Sequence, residues 1–430
     1  MSLKKRVVTY LVFSIPTLML GQTQNNFSGY LDNYMISGLS DGKIIKIPFR
    51  MLNLNWKRQS KNFEFNSNLA MEFRLKNDPS MVDSELNLNA DLSWIIRELF
   101  LTWYIPLGEI RVGKQINTWG LVDENSPLDV VNAFDYYYLF FQGTERKIGS
   151  NSIAMEFYLN DWKLGGVFSP FHQKNRLPAN DPEFPIKIPI VPKENQIFEI
   201  NETPIEFGGF VEYPFNWGDL RFSFFQGYDR VFNLSGVNAF TIEENDPSFT
   251  EVDIVYGYRK TNVIGWSAVG FIQEFVLRGD FAMFRTKDMN SSVKRESPFI
   301  THPYHYKEFP LRESADYYQF TLQFEYGLPW DISIAGQFFS YDTIQYKSGE
   351  LPIDENINIP NLEIDPEDLN PKNFFTPGMG TPMAVLSKRF VLLTLEKTFL
   401  DDQLKINSLS LVDIAKPKES EKSNIWGAMF

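Results

Sequence analysis

The chain has no cysteine among its 430 residues. That removes disulfides, thiolate metal sites and cysteine nucleophiles in one step. Histidine is scarce too: His172, His302 and His305 are the whole set. None of them stands in a recognisable pattern with a nucleophile, so no catalytic residue is assigned and the chain is not expected to be an enzyme. A Gly-rich phosphate cradle and internal repeats are missing as well, and no cofactor is implied. Past residue 20 there is no uncharged apolar run near the roughly 20 residues a membrane helix requires, which excludes a helical membrane protein. Positive charge is in deficit, with 41 Lys and Arg against 54 Asp and Glu and a net charge of −13. A chain with no basic surplus has little with which to displace counterions from a phosphate backbone, so nucleic acid is not an expected partner.

What is abundant is aromatic: 39 Phe, 19 Tyr and 9 Trp, 16% of the chain. So many rings in so polar a chain suit a membrane barrel with aromatic belts at its two interfaces. At the N-terminus, Lys4-Lys5-Arg6 precedes an apolar run from Val7 to Leu20, and Gly21-Gln22 restores polarity. This is the layout of a secretory signal peptide over residues 1–21, its apolar core too short to span a bilayer. The expected mature chain is a single domain, 22–430.

Strict alternation dominates that domain. Phe63, Phe65, Leu69, Met71, Phe73 and Leu75 fall on one side, and Glu64, Asn66, Asn68, Glu72 and Arg74 on the other. Tyr318, Phe320, Leu322, Phe324 and Tyr326 alternate with Gln319, Thr321, Gln323 and Glu325. A two-residue period sorts side chains only in a strand, where neighbours point to opposite faces. About 16 such segments run from Phe27–Ile36 to Asn424–Phe430. Two of them, Phe49–Arg58 and Ile95–Ile105, carry apolar residues on both faces.

A soluble sandwich would show the same alternation, so the connections decide. Short turns recur at Pro106-Leu107-Gly108-Glu109, Asn160-Asp161, Asn216-Trp217-Gly218-Asp219, Gly327-Leu328-Pro329-Trp330-Asp331 and Asp401-Asp402. Between the hairpins lie long polar stretches at 77–93, 121–149, 170–204, 229–262, 287–314 and 342–387, expected to be structureless. Short turns at one end and long loops at the other are the asymmetry of outer-membrane barrels. The expected fold is therefore all-β, a transmembrane antiparallel up-and-down barrel with short periplasmic turns and long extracellular loops. An even strand count places both ends on the periplasmic side, and lipid tolerates no open edge. Trp426, Ala428 and Phe430 form part of a terminal aromatic pattern that Asn424 and Lys422 interrupt, so a chain about one hairpin short is expected.

One stretch is more specific. Arg97-Glu98-Leu99-Phe100-Leu101-Thr102-Trp103-Tyr104, Gly108 to Gln115, Thr118-Trp119-Gly120, Asp129-Val130-Val131-Asn132, Glu145-Arg146-Lys147 and Gly378-Met379-Gly380-Thr381-Pro382-Met383 together resemble a family of Gram-negative outer-membrane barrels of unknown function, distantly similar to alginate-export porins. The resemblance implies outer-membrane location. It also implies proximity to an inner-membrane exporter of hydrophobic molecules.

Arg111 and Gln115 fall on the expected lumenal side, and loop 121–149 follows them. A barrel this wide is an open channel unless a loop folds inward, and opposed charges across the narrowing would then set selectivity. The candidate constriction residues are Arg111, Gln115, Asn117, Trp119, Asp123, Glu124, Asp129, Asn132, Asp135, Glu145, Arg146 and Lys147. The competing reading pairs these charges within an extracellular loop. The acids from Leu351 to Leu369 lack a Ca²⁺-loop pattern and read as a solvated loop. His302-Pro303-Tyr304-His305 is a poor metal pair, because Pro303 opposes a helix. No metal is implied. The expected function is a conduit through the outer membrane. The alternatives are a lipid or hydrophobic-molecule transporter with Phe225 and Phe339 as an apolar track, and a surface receptor or adhesin. Expected partners are outer-membrane lipid, the barrel-assembly machinery and an exporter system.

Overall fold

The computed structural model describes residues 24–32, 36–37, 42, 44–45, 47–74, 92–139, 141, 143–178, 181, 184, 192, 194–198, 200, 203–244, 246, 250–351, 357–358, 370–400, 404–415 and 422–429. The expected signal peptide, Phe430 and most of the acidic run from 351 to 369 lie outside them.

Among the described residues, sixteen antiparallel strands pair in simple chain order. They are β1 Gln24–Leu31, β2 Phe49–Ser60, β3 Phe63–Phe73, β4 Leu92–Ile105, β5 Gly108–Gln115, β6 Ser150–Leu159, β7 Trp162–Ser169 and β8 Glu206–Phe215. Then come β9 Gly218–Tyr228, β10 Lys260–Ile272, β11 Phe275–Lys287, β12 Ser314–Leu328, β13 Ile332–Lys347, β14 Arg389–Phe399, β15 Leu404–Asp413 and β16 Lys422–Met429. Every segment read from alternation overlaps one of them. The first stops earlier than expected, at Leu31, and Ile36–Ser37 pairs separately with Ile44–Ile45. The two-faced segments have a physical cause. Residues 51 and 97 are extra in their ladders, at register shifts between Arg50 and Leu52 and opposite Asn68 and Leu69. Each extra residue slips the alternation by one, as a bulge does.

The sheet is rolled, and the evidence is a single loop. Residues 116–149 join β5 to β6 and bond to inward side chains of strands far apart in the ladder. Glu145 accepts from Arg50 of β2 at 2.8 Å and from Arg97 of β4 at 2.6 Å. Twenty residues earlier, Ser126 donates to Asp280 of β11 at 2.6 Å and Asn125 to Gln337 of β13 at 3.2 Å. A flat sheet would hold β2 and β13 about 50 Å apart, at roughly 4.8 Å per strand. Strands β1 and β16 end the order, and among the described residues no ladder joins them.

Outside the roll, apolar side chains face away from the protein. Trp103, Val112, Trp162, Phe207, Phe222, Ile264, Trp266, Leu277, Leu322, Leu393 and Leu395 are all exposed. Such a continuous apolar wall is a liability in water and a requirement in lipid. Rings cluster near the short turns, with Phe63 against Trp103 at 6.1 Å, Phe215 against Trp217 at 5.8 Å and Phe275 against Tyr326 at 4.6 Å. These form one interfacial girdle.

The long stretches correct an expectation. Those expected to be structureless hold a second sheet at the far end, ordered Tyr304–Pro310, Asn233–Thr241, Thr250–Gly257 and Ile357–Asn358. Val237, Val252, Leu311 and Leu351 make its small core. Short apolar runs within polar loops were enough to build a satellite sheet.

Candidate functional site

The run Asp129-Val130-Val131-Asn132 is the spine of the inward loop. The side chain of Asn132 binds both of the loop's ends. It accepts from the Asn117 amide at 2.6 Å and donates to the carbonyls of Gln115 at 3.2 Å and Ile148 at 2.9 Å. Asp129 pairs with Lys147 at 2.8 Å and accepts from the Trp119 amide at 3.3 Å. Val130 and Val131 sink into an apolar cluster with Trp119, Leu128, Phe210, Phe225, Val263, Ala282 and Phe284. Their carbonyls each accept from Arg230 at 3.0 Å. Arg230 is itself buried and paired with Glu206 at 2.8 Å.

The tip is held by the wall. Asp280 of β11 accepts from the amides of Leu121 and Val122, both at 3.1 Å, besides the Ser126 hydroxyl. Asn125 takes φ 53°, a left-handed conformation asparagine tolerates, where its side chain reaches Gln337. Gly378 to Met383 comes down from the last long loop and meets the first. Gly380 has φ 96°, and a Cβ there would lie 2.3 Å from Gln319 Oε1, so only glycine fits. Gln319 donates to Met379 O at 2.9 Å, and Tyr136 donates to Pro382 O at 2.9 Å.

The expected constriction residues divide into groups. Asp129 with Lys147, and Glu124 with Arg146 at 2.7 Å, pair inside the loop, as the competing reading supposed. Burial pushes the Glu124 carboxyl up, against the pull of Arg146. Glu145, Asp135 and Asp123 reach the wall and neighbouring loops. Asp135 meets Arg176 at 3.2 Å and Arg50 at 3.5 Å, and Asp123 accepts from Gln323 at 2.7 Å. Burial pushes Asp135 up, opposed by those two guanidiniums. Gln115, Asn117, Trp119 and Asn132 are buried structural elements of the loop. Arg111 sits below, bonded to Glu156 at 3.2 Å.

Sequence reasoning assigned no loop contact to Arg50, Arg97, Asp280, Gln323 and Gln337 of the wall, or to Arg230 just beyond β9. Alternation had placed Gln323 on the polar face, and the same reading could have flagged Asp280. Phe225 and Phe339, considered as an apolar track, lie beneath the loops instead, packed on Trp119 and Phe390. The three histidines occupy separate neighbourhoods. His172 meets Glu206 at 3.1 Å, His302 meets Thr301 at 2.9 Å, and His305 meets Asn238 at 3.0 Å.

Toward the short turns the inner faces carry a ring of cross-strand ion pairs. Lys57 meets Glu64 at 2.9 Å, Lys163 meets Glu156 at 2.8 Å and Arg221 meets Glu212. Arg278 meets Glu325 at 2.6 Å, and Lys405 meets Glu396 at 2.7 Å. These features define the class: an all-β membrane barrel with a lumen loop.

No family model matches the chain, and no curated protein matches its sequence. Solved structures similar to it include OmpT, an outer membrane protein of Vibrio cholerae, in a trimer form. That match has 10% identity, covers 95% of this chain and 98% of that one, and has a TM-score of 0.45. An anion-selective porin from Comamonas acidovorans matches at 10% identity over 91% and 89%, with a TM-score of 0.44. The outer membrane channel DcaP of Acinetobacter baumannii matches at 10% identity over 94% and 96%, with a TM-score of 0.42.

Proposed function

We propose that the chain is a porin-like channel of the Gram-negative outer membrane, its passage narrowed by the inward loop 121–149. The observation that carries this reading is the anchoring of one loop to inward side chains of β2, β4, β11 and β13. A loop meant only for the cell surface has no need of partners inside the roll. The exposed apolar wall and the girdle of rings support a place in lipid. The narrower likeness to alginate-export porins, and the coupling to an exporter, rest on the sequence motifs alone.

Purified protein in planar bilayers should conduct ions, and deleting 127–143 should raise single-channel conductance severalfold. Asp280→Ala keeps the chain length and should add open-state current noise. A well-folded preparation that passes no current, before and after the deletion, would refute the channel.

A further inference from the structure

We propose that the inner face of β1 to β4 is a binding track for neutral, hydroxyl-rich solutes, that is, oligosaccharides without charge. This rests on the channel reading and names what that channel recognises.

Register assembles the track. Ser28 of β1 lies opposite Asn55 of β2, and Asn55 lies opposite Asn68 of β3. Tyr30 lies opposite Asn53, and Asn66 lies opposite Phe100 of β4. Their inward direction is fixed by neighbours of the same parity. Glu72 of β3 bonds Arg176 at 2.8 Å, while Leu54 and Trp103 of the other parity point outward.

Each amide both donates and accepts and carries no net charge, which matches a hydroxyl group for group. Asn55, Asn66 and Asn68 are half-buried, hence reachable from the lumen. Asn53 is 1% exposed, and its Oδ1, like that of Asn68, is buried with no hydrogen-bond partner among the described residues. Asn53 thus lies beneath the track as backing, and the half-buried amides of Asn55, Asn66 and Asn68 form its reachable edge. Tyr30 and Phe100 add ring surface for the apolar faces of such a solute.

The charges flanking the amides are already committed. Arg50 and Arg97 hold Glu145, Arg176 holds Glu72, and Lys57 holds Glu64. Glu98, opposite Asn68, accepts from the Ile116 amide at 2.9 Å and has no ion-pair partner among the described residues. An anionic solute therefore gains no free cation along this wall and loses its own hydration.

The test is current block in planar bilayers, using a neutral linear hexasaccharide and a uronate hexasaccharide of equal length. The neutral sugar should cause transient closures at millimolar concentration, with the uronate about tenfold weaker. The triple variant Asn55→Leu, Asn66→Leu, Asn68→Leu should lose about tenfold in block, read against its own open-channel current. Should that variant not fold, Asn66→Asp serves in its place and should weaken neutral block several-fold. Equal block by the two sugars, or undiminished block in the variant, overturns the track. Should no current flow at all, the channel reading fails, and calorimetric titration of the full chain in detergent decides this inference. Heat with the neutral sugar that the variant lacks supports it; no heat overturns it.

Discussion

Two inner walls of the same barrel obey the same alternation and end up with opposite characters. On β8 to β14 the inward positions include Phe210, Phe225, Val263, Ala282, Phe284, Phe339 and Phe390, all buried. On β1 to β4 they include Ser28, Tyr30, Asn53, Asn55, Asn66, Asn68 and Phe100, with the paired charges Arg50, Lys57, Glu64 and Glu72. The first wall is covered by the inward loops and makes a protein core with them. The second meets the loop through charges, with Arg50 and Arg97 holding Glu145, and its half-buried asparagines stay outside any apolar cluster. In this barrel the inner wall is apolar where the loops pack on it with apolar side chains and polar where they meet it with charges.

The largest effect should come from hollowing out the covered wall. Phe225→Ala removes a ring packed against Trp119 and should cost about 3–5 kcal/mol, as buried Phe truncations do. Asn55→Ala on the polar wall should fall within about 0.5 kcal/mol of wild type. Thermal unfolding followed by circular dichroism measures both. Equal losses would erase the distinction between the walls.

A smaller effect tests fit rather than burial. A Cβ at Gly265 of β10 would lie 2.0 Å from Leu128 Cδ2 of the loop. Gly265→Val should therefore push the loop off its wall at about 1–3 kcal/mol, the usual cost of overpacking. Faster protease nicking between 121 and 143 is the expected sign. An unchanged nicking rate would mean that Leu128 does not need that glycine.

The smallest effect is a pH dependence. Burial holds the His172 imidazole below its ordinary value, and Glu206 beside it pulls the other way while Arg230 adds to the lowering. The unfolded chain then binds the extra proton first, so the stabilisation is complete above the unfolded value of about 6.5. It is lost as pH falls from there toward the folded value. Loop protection against protease should weaken between neutral pH and pH 5, and His172→Gln should flatten that slope. A slope as steep in the variant would place the titrating group elsewhere.

Much of this was legible early. Alternation located all sixteen strands because a strand's two faces are decided residue by residue. The slips at Met51 and Arg97 showed in the sequence as two-faced segments, without their cause. The motif Asp129 to Asn132 was visible as a signature, but the partners of Asn132 are the ends of its own loop and those of Val131 include Arg230, 99 residues on. No local pattern encodes such a pairing. The satellite sheet was missed for the same reason, since its strands come from 233 to 358.

By itself the sequence determined the strands, the turns and the greasy outer surface, because a period of two and turn chemistry act between adjacent residues. Only the tertiary structure decided that loop 116–149 turns inward, which charges it neutralises there and which wall it packs against with apolar side chains. Those outcomes depend on the curvature of the rolled sheet, which brings β2 and β13 to one segment of chain. Sequence distance carries no record of that curvature.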